Sequence, residues 1–291
     1  MSSTLKERYK GYENLIAGFS GGMASTMICH PLDLLKIRFA ANDLKGNRPQ
    51  YGSYYNAIKQ IYKSGGIKMF YQGVTPSLLG ASSAWGLYFH FCHIFKEEFS
   101  HVEINNEIKN FLIAGVSGVT VQCFTNGFWV AKTRLCLQYE NEKRQYKGLI
   151  DCLYKIVKYE GIFGLYKGFV PGMFGTLHGS IQWMVYNFLK IKRCHYLGVA
   201  ENTHLNTFDY LLILTISKIA ATTPMFPYQV LKTRLQDQHN TEKSLIKLIK
   251  TIYYKEGLRG FYKGLFAGNV KQLPTAIITF LTYENVKYFL E

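Results

Sequence analysis

The chain has 291 residues, 48% of them hydrophobic and 15% aromatic, with a formal net charge of +15. The apolar share excludes a disordered chain, and 26 glycines with only 7 prolines exclude a collagen-like or proline-rich one. A soluble basic protein would suggest nucleic acid, but charged residues are only 18% of the total, below the ~25% of soluble domains.

From the N-terminus, Met1–Asn14 carries no apolar core or cleavage site, so neither a cleaved signal peptide nor a transit peptide is expected. An uncharged run of 19 residues follows, Asn14–Leu32. Three more are Met69–Phe95 (27 residues), Asn110–Ala131 (22) and Gly168–Leu189 (22). Each reaches the ~18–20 residues that cross a bilayer as helix. Two further apolar stretches, Tyr210–Leu231 and Gly264–Tyr283, are each interrupted by one cation, Lys218 and Lys271. Six spanning helices are therefore expected, joined by polar segments that hold short amphipathic helices. One such helix is expected near Leu149–Tyr159, where Leu149, Cys152, Leu153, Ile156 and Val157 share a face. The six cysteines show no metal-like spacing and are read as small buried hydrophobes.

The pattern is triplicated. Pro31-Leu-Asp33-Leu-Leu-Lys36-Ile-Arg38 recurs as Gly127-Phe-Trp129-Val-Ala-Lys132-Thr-Arg134 and as Pro227-Tyr-Gln229-Val-Leu-Lys232-Thr-Arg234. A second signature follows each, ending Tyr71-Gln72-Gly73, Tyr166-Lys167-Gly168 and Tyr262-Lys263-Gly264. The chain is read as three repeats, residues 1–103, 104–203 and 204–291, forming one integral membrane domain. With six spans both termini share one side. The three long polar loops share the other and hold 23 of the 34 Lys and Arg, so the net charge belongs largely to one membrane face and no nucleic-acid partner is expected.

These motifs resemble the mitochondrial carrier family over the whole chain. Segments such as His30-Pro-Leu-Asp, Lys36-Ile-Arg-Phe-Ala, Trp85-Gly-Leu-Tyr-Phe, Thr125-Asn-Gly-Phe-Trp and Tyr166-Lys-Gly-Phe-Val-Pro-Gly look most like the folate/FAD carriers within it. The resemblance implies an all-α bundle of six tilted helices in three pseudosymmetric repeats, with short matrix helices, in the mitochondrial inner membrane. It further implies a monomer with both termini toward the intermembrane space, working by alternating access.

Proline in a helix removes one hydrogen bond and bends it, so Pro31 and Pro227 are expected to kink the first and fifth helices, while Gly127 only permits a bend. In the family pattern the motif acid of one repeat pairs with the cation of the next, forming a matrix gate. Only Asp33 is acidic here, so Asp33–Lys132 is the one full ion pair expected. Lys232 would face Trp129 through a cation–π contact, and Lys36 would face Gln229 through a hydrogen bond. At the other end the family's cytoplasmic gate motif is intact only as Tyr283-Glu284-x-x-Lys287; Lys190 has lost its acid at Asn187, which suits a uniporter-like carrier that returns empty.

Helical spacing extends the motif face inward. Lys218, Thr222, Met225, Gln229 and Lys232 recur on one face of the fifth helix, and Gly118, Gln122, Thr125, Trp129 and Lys132 on the third. An intramembrane lysine such as Lys218 is by default a functional site. Lys271 stands where the family usually places a substrate-contacting Arg, and His178 and Gln182 lie one turn apart on the fourth helix. Together Lys218, Trp129, Lys232, Lys271, Gln122, Thr222, His178 and Gln182 suit a small anionic heteroaromatic solute, a folate or FAD carried as substrate and not held as cofactor. Gly73, Gly168 and Gly264 open the even helices, where backbone N–H groups favour phosphate and the resemblance implies cardiolipin. Gly18-x3-Gly22 and Gly175-x3-Gly179 are read as close helix contacts. No catalytic or metal-binding constellation is present, so no enzyme is expected. The competing readings are a carrier of pyrimidine-type nucleotides and a non-transporting scaffold on the same fold.

Overall fold

The computed structural model describes residues 13–42, 48–49, 51–101, 106–139, 144–200, 205–240, 242 and 244–290. The repeat boundaries expected near 103 and 203, and residues 1–12, lie outside them.

The six spans form as long helices. They are α1 (Glu13–Ala41), α3 (Val74–Glu98), α4 (Asn106–Cys136), α6 (Phe169–Leu197), α7 (Thr207–Gln236) and the pair α9 (Leu265–Val270) and α10 (Gln272–Leu290). The shortest continuous one, α3, has 25 residues, about 37 Å of helix, more than the ~30 Å hydrocarbon core. The interruption between α9 and α10 has a simple cause: Pro274 cannot donate to the Val270 carbonyl, although Lys271 N donates to Ala267 O and Thr275 N to Lys271 O, so the rod continues. Large apolar side chains stand exposed along these helices, including Phe19, Ile28, Phe89, Phe124, Phe188, Phe208 and Leu281. That inverts a soluble protein's pattern and suits a hydrocarbon surround.

Three short amphipathic helices lie between the spans: α2 (Tyr54–Gly65), α5 (Leu149–Glu160) and α8 (Leu245–Gly260). Each buries two residues four apart, Ala57 and Ile61, Cys152 and Ile156, Leu248 and Ile252. Those pairs dock on the end of the preceding odd-numbered span, against Leu34 and Leu35, against Val130, Ala131 and Leu135, and against Leu231. Cys152 is buried in such a contact and Cys29, Cys136 and Cys194 are buried elsewhere, whereas Cys92 is half-buried and Cys123 exposed.

Helices from different repeats pack most extensively: α3 with α4, α6 with α7, and α10 with α1. The last pair closes the chain into a ring. Gly21 of α1 makes that contact close, since a Cβ there would stand 2.7 Å from Thr279 O. Gly18 and Gly22, read from sequence as the contact pair, face open space: a Cβ at either would meet nothing within 4 Å. The small residue that matters lies on the adjacent face of the helix.

At the short-helix end a second closure repeats three times. Each glycine that opens an even span has left-handed backbone: Gly73 (φ 81), Gly168 (φ 72) and Gly264 (φ 91). Each also sits against the motif lysine carbonyl of a different repeat, where a Cβ would come within 3.0 Å of Lys132 O, 3.0 Å of Lys232 O and 2.7 Å of Lys36 O. Glycine is required there by both conformation and space. The motif arginines complete the ring. Arg38 donates to Cys136 O and Gln138 O, each at 3.0 Å. Arg134 donates to Gln236 O at 3.2 Å, and Arg234 to Ala40 O at 3.0 Å and Asn42 O at 3.2 Å. Each guanidinium thereby satisfies carbonyls that a helix end leaves without partners.

Candidate functional site

Pro31 and Pro227 lie inside continuous helices, and Gly127 occupies the matching place in α4, with Leu165 and Leu153 side chains at ordinary contact distance. One turn beyond them the motif side chains turn inward. Asp33 Oδ2 stands 3.1 Å from Lys132 Nζ, and Asp33 Oδ1 stands 2.7 Å from Lys271 Nζ. The carboxylate is thus shared by a motif lysine and by the lysine between α9 and α10.

Lys232 Nζ lies 6.0 Å from the Trp129 ring centroid and Lys132 Nζ 5.6 Å from it, so one indole serves two ammonium groups. Lys36 makes no hydrogen bond to Gln229. Its ammonium lies 5.8 Å from the Phe226 ring centroid, with Gly268 packed beside the Lys36 stem. Lys36 lies within electrostatic reach of Asp33, Lys132, Lys232 and Lys271, so four cations share the neighbourhood of a single carboxylate. In a low-dielectric bundle such an excess is costly until an anion joins it.

Inward of this cluster lies a cavity of about 1010 Å³. Gly118, Gln122, Thr125 and Trp129 of α4 and Lys232 of α7 line it, as do Gly172, Gly175, Gly179 and Trp183 of α6 and Trp85 and Tyr88 of α3. Gln122 Nε2 donates to Phe169 O at 2.8 Å, tying α4 to the start of α6. The stripe Gly175-x3-Gly179, read from sequence as a helix contact, is instead a cavity wall: a Cβ at Gly179 would meet nothing within 4 Å. Trp183 continues that stripe by one turn, and this spacing is the signal that marks it in the sequence. All three tryptophans of the chain face this one space.

The remaining candidates fall into two places. His178 Nε2 and Thr222 Oγ1 share a 3.1 Å hydrogen bond across α6 and α7. Lys218, half-buried on α7, has no hydrogen bond or ion pair among the described residues and feels the charge of Lys271; Gln182 is half-buried one turn from His178. At the far end Glu284 is exposed, and Lys190 and Lys287 are half-buried on α6 and α10. The structure forms no ion pair between Glu284 and Lys190. Two residues not singled out from sequence tie the first and third spans to the segments that open the even ones: His30 Nε2 donates to Gln72 O at 2.8 Å, and Asn126 Nδ2 to Leu165 O at 2.6 Å.

Outside the spans, two triads lock the loops. Glu160 accepts from Arg134 at 2.8 Å and pairs with Lys167 at 2.7 Å. Glu256 does the same with Arg234 at 2.8 Å and Lys263 at 2.7 Å. Burial alone pushes the Glu160 carboxyl up, but hydrogen bonds from Arg134 and Lys167, together with their charges, bring it down to about 2. Glu256 is lowered for the same reasons. The first repeat has Gly65 and Gln72 in the acid and lysine positions, and there Arg38 Nη2 donates to Gln72 Oε1 at 3.3 Å.

A ring of six spanning helices in three repeats, closed at one end and enclosing a cationic, aromatic-walled cavity, is the architecture of a membrane solute carrier. The chain belongs to the mitochondrial carrier protein family, whose description matches residues 7–103, 105–195 and 203–291. It is a transporter, not an enzyme. It is 36% identical to a chloroplastic folate transporter of Arabidopsis thaliana, over 96% of each chain. It is 32% identical to a mitochondrial FAD carrier protein of Saccharomyces cerevisiae, over 96% of this chain and 97% of that one. It is also 34% identical to a chloroplastic nicotinamide adenine dinucleotide transporter of Arabidopsis thaliana, over 95% and 91%.

Proposed function

We propose that this carrier moves an anionic heteroaromatic solute, a folate or a flavin dinucleotide, across the mitochondrial inner membrane by alternating access. The observation that carries the reading is the cavity itself: three tryptophans and the carboxylate-free Lys232 face one space of about 1010 Å³. Indoles stack on flat ring systems, and an ammonium without a protein carboxylate takes its counter-charge from the solute. Two of the relatives are named for folate and for FAD, which agrees with that chemistry. In this reading Asp33, Lys36, Lys132, Gln229, Lys232 and Trp129 close the matrix side, and Glu284, Lys287 and Lys190 form a weak cytoplasmic closure that lets the empty carrier return. Gly73, Gly168 and Gly264 hold cardiolipin headgroups, the protein acts as a monomer, and both termini face the intermembrane space. The test is uptake by the purified protein in liposomes of labelled folate, FAD, NAD and nucleotides, with and without internal substrate. Uptake of none would overturn the carrier reading. NAD is a second candidate because a relative is named for it.

A further inference from the structure

The cavity has a length as well as a chemistry. The cation in its lining is Lys232, whose Nζ lies 3.3 Å from the position a Cβ on Gly172 would take. Gly172 therefore marks on α6 the level of the ammonium. Trp183 stands eleven residues further along the same helix, about 16 Å at 1.5 Å per residue. On the facing helix α3, Gly80 marks the floor, because a Cβ there would lie 3.7 Å from the Trp129 ring. Trp85 stands five residues beyond Gly80, about 7 Å higher. The three indoles thus form a ladder: Trp129 beside the ammonium, Trp85 about 7 Å along α3 from the level of the Trp129 ring, and Trp183 about 16 Å along α6 from the level of the ammonium.

The walls between these rungs are bare. Gly175 and Gly179 of α6 and Gly115 and Gly118 of α4 line the cavity, and a Cβ at Gly179 or Gly115 would meet nothing within 4 Å. Neither upper indole is fixed by deep burial: Trp183 is 65% exposed and Trp85 63%. Each is steadied by one stacked neighbour on its own helix, Trp183 by Tyr186 at 5.6 Å and Trp85 by Phe89 at 5.9 Å between ring centroids.

We infer that the site is end-specific: Lys232 takes the anionic terminus of an elongated solute, and Trp183 takes a fused ring about 16 Å away, with Trp85 beside the segment between them. This rests on the carrier reading above and narrows it. A pteridine joined through a p-aminobenzoyl group to glutamate carries its carboxylates and its fused ring at opposite ends, separated by about this span. A flavin dinucleotide carries its anionic pyrophosphate midway between two ring systems, and a mononucleotide is too short to engage both levels. The ladder therefore favours a folate over FAD, and either over a nucleoside phosphate.

The test is equilibrium binding to the detergent-purified full chain of folate and of two half-molecules, p-aminobenzoylglutamate and an uncharged pterin. Lys232→Gln is expected to weaken p-aminobenzoylglutamate about tenfold and leave the pterin unchanged. Trp183→Ala is expected to weaken the pterin about tenfold and leave p-aminobenzoylglutamate unchanged, with Trp183→Phe restoring most of the loss. Both variants are expected to unfold within a few degrees of wild type, and Trp183→Phe is the readout if the alanine form is less stable. Equal loss of both halves in each variant, or no change in Trp183→Ala, would overturn the assignment of ends. Wild-type protein that transports FAD or NAD but does not bind folate would also overturn it while leaving the carrier reading intact. Protein that transports none of them would overturn that reading itself.

Discussion

Replacing Glu160 by Gln tests whether the loop triads carry stability or merely decorate the surface. Glu160 receives Arg134 and Lys167, and the Arg134 side chain is fully buried while that of Glu160 is 28% exposed. Lowering its pKa from 4.5 to about 2 corresponds to at most about 3 kcal/mol of differential stabilisation, at about 1.4 kcal/mol per unit. Solvent reaches part of the carboxylate, and glutamine keeps one acceptor for Arg134, so about 2 kcal/mol is the expected loss. For a chain of this size that lowers the Tm by roughly 3–4 °C, measured by thermal unfolding in detergent at pH 7. The pH dependence supplies the second half of the test. A carboxyl whose folded pKa is depressed contributes fully above its unfolded pKa, and the contribution disappears as pH falls through the folded one. The difference in Tm between wild type and Glu160→Gln should therefore be constant from pH 8 to pH 5 and shrink from about pH 4.5 toward pH 2. Equal Tm values at pH 7, or a difference that stays the same at the acid end, would refute the reasoning.

Gly264→Ala combines a left-handed backbone cost of ~1–2 kcal/mol with a Cβ at 2.7 Å from the Lys36 carbonyl. A Tm lower by several degrees is expected, whereas Gly18→Ala, with open space around it, should be neutral or slightly stabilising in the same assay. Lys218→Ala removes an ammonium that has no ion pair among the described residues. Liposome uptake should fall to background with Tm unchanged or raised, and unchanged uptake would remove Lys218 from the site. Asp33→Asn strips the shared carboxylate from Lys132 and Lys271, at an expected cost of about 3 kcal/mol. Thermal unfolding reads that loss, and a variant as stable as wild type would show that the pair is not coupled to folding.

The six spans were legible because charge is absent, or limited to one lysine, over bilayer-length runs, and the repeat because two motifs each occur three times at nearly constant spacing. The short helices could be placed because pairs such as Cys152 and Ile156 reveal a buried face through their four-residue spacing alone. What resisted reading were contacts that depend on which helix lies beside which. Lys271 and Asp33 are 238 residues apart in sequence, and only the pairing of α10 with α1 brings them together. A small-x3-small pattern shows that a helix can be approached, not from which side. Hence Gly21 makes the contact assigned to Gly18 and Gly22, and Gly175 and Gly179 line the cavity, Gly179 with nothing within 4 Å of a Cβ and Gly175 with Tyr228 Oη at 3.6 Å. Lys36 illustrates a third limit: the sequence offers it the Gln229 amide, but in the fold its ammonium lies over the Phe226 ring.

Pseudosymmetry is kept and broken at different depths of the molecule, and the division has a physical sense. At the closed end each repeat makes the same contacts, a left-handed glycine on a lysine carbonyl and an arginine on the carbonyls of a neighbouring helix. A ring that must close on itself needs three compatible joints, and a change in one would strain the other two. Where the first repeat departs, it does so in a balanced way: Gly65 deletes the acid of the triad and Gln72 deletes its lysine, and Arg38 donates instead to Tyr51 Oη and Gln72 Oε1. One turn inward the restraint is lifted. The three motif acids have become Asp33, Trp129 and Gln229, leaving an ion pair on one side of the ring and an indole and an amide on the others. A cavity that presents the same group three times can hold a solute in three equivalent ways. A cavity with one carboxylate, one indole and one unpaired ammonium around its floor distinguishes them, which is what a molecule with two unlike ends requires.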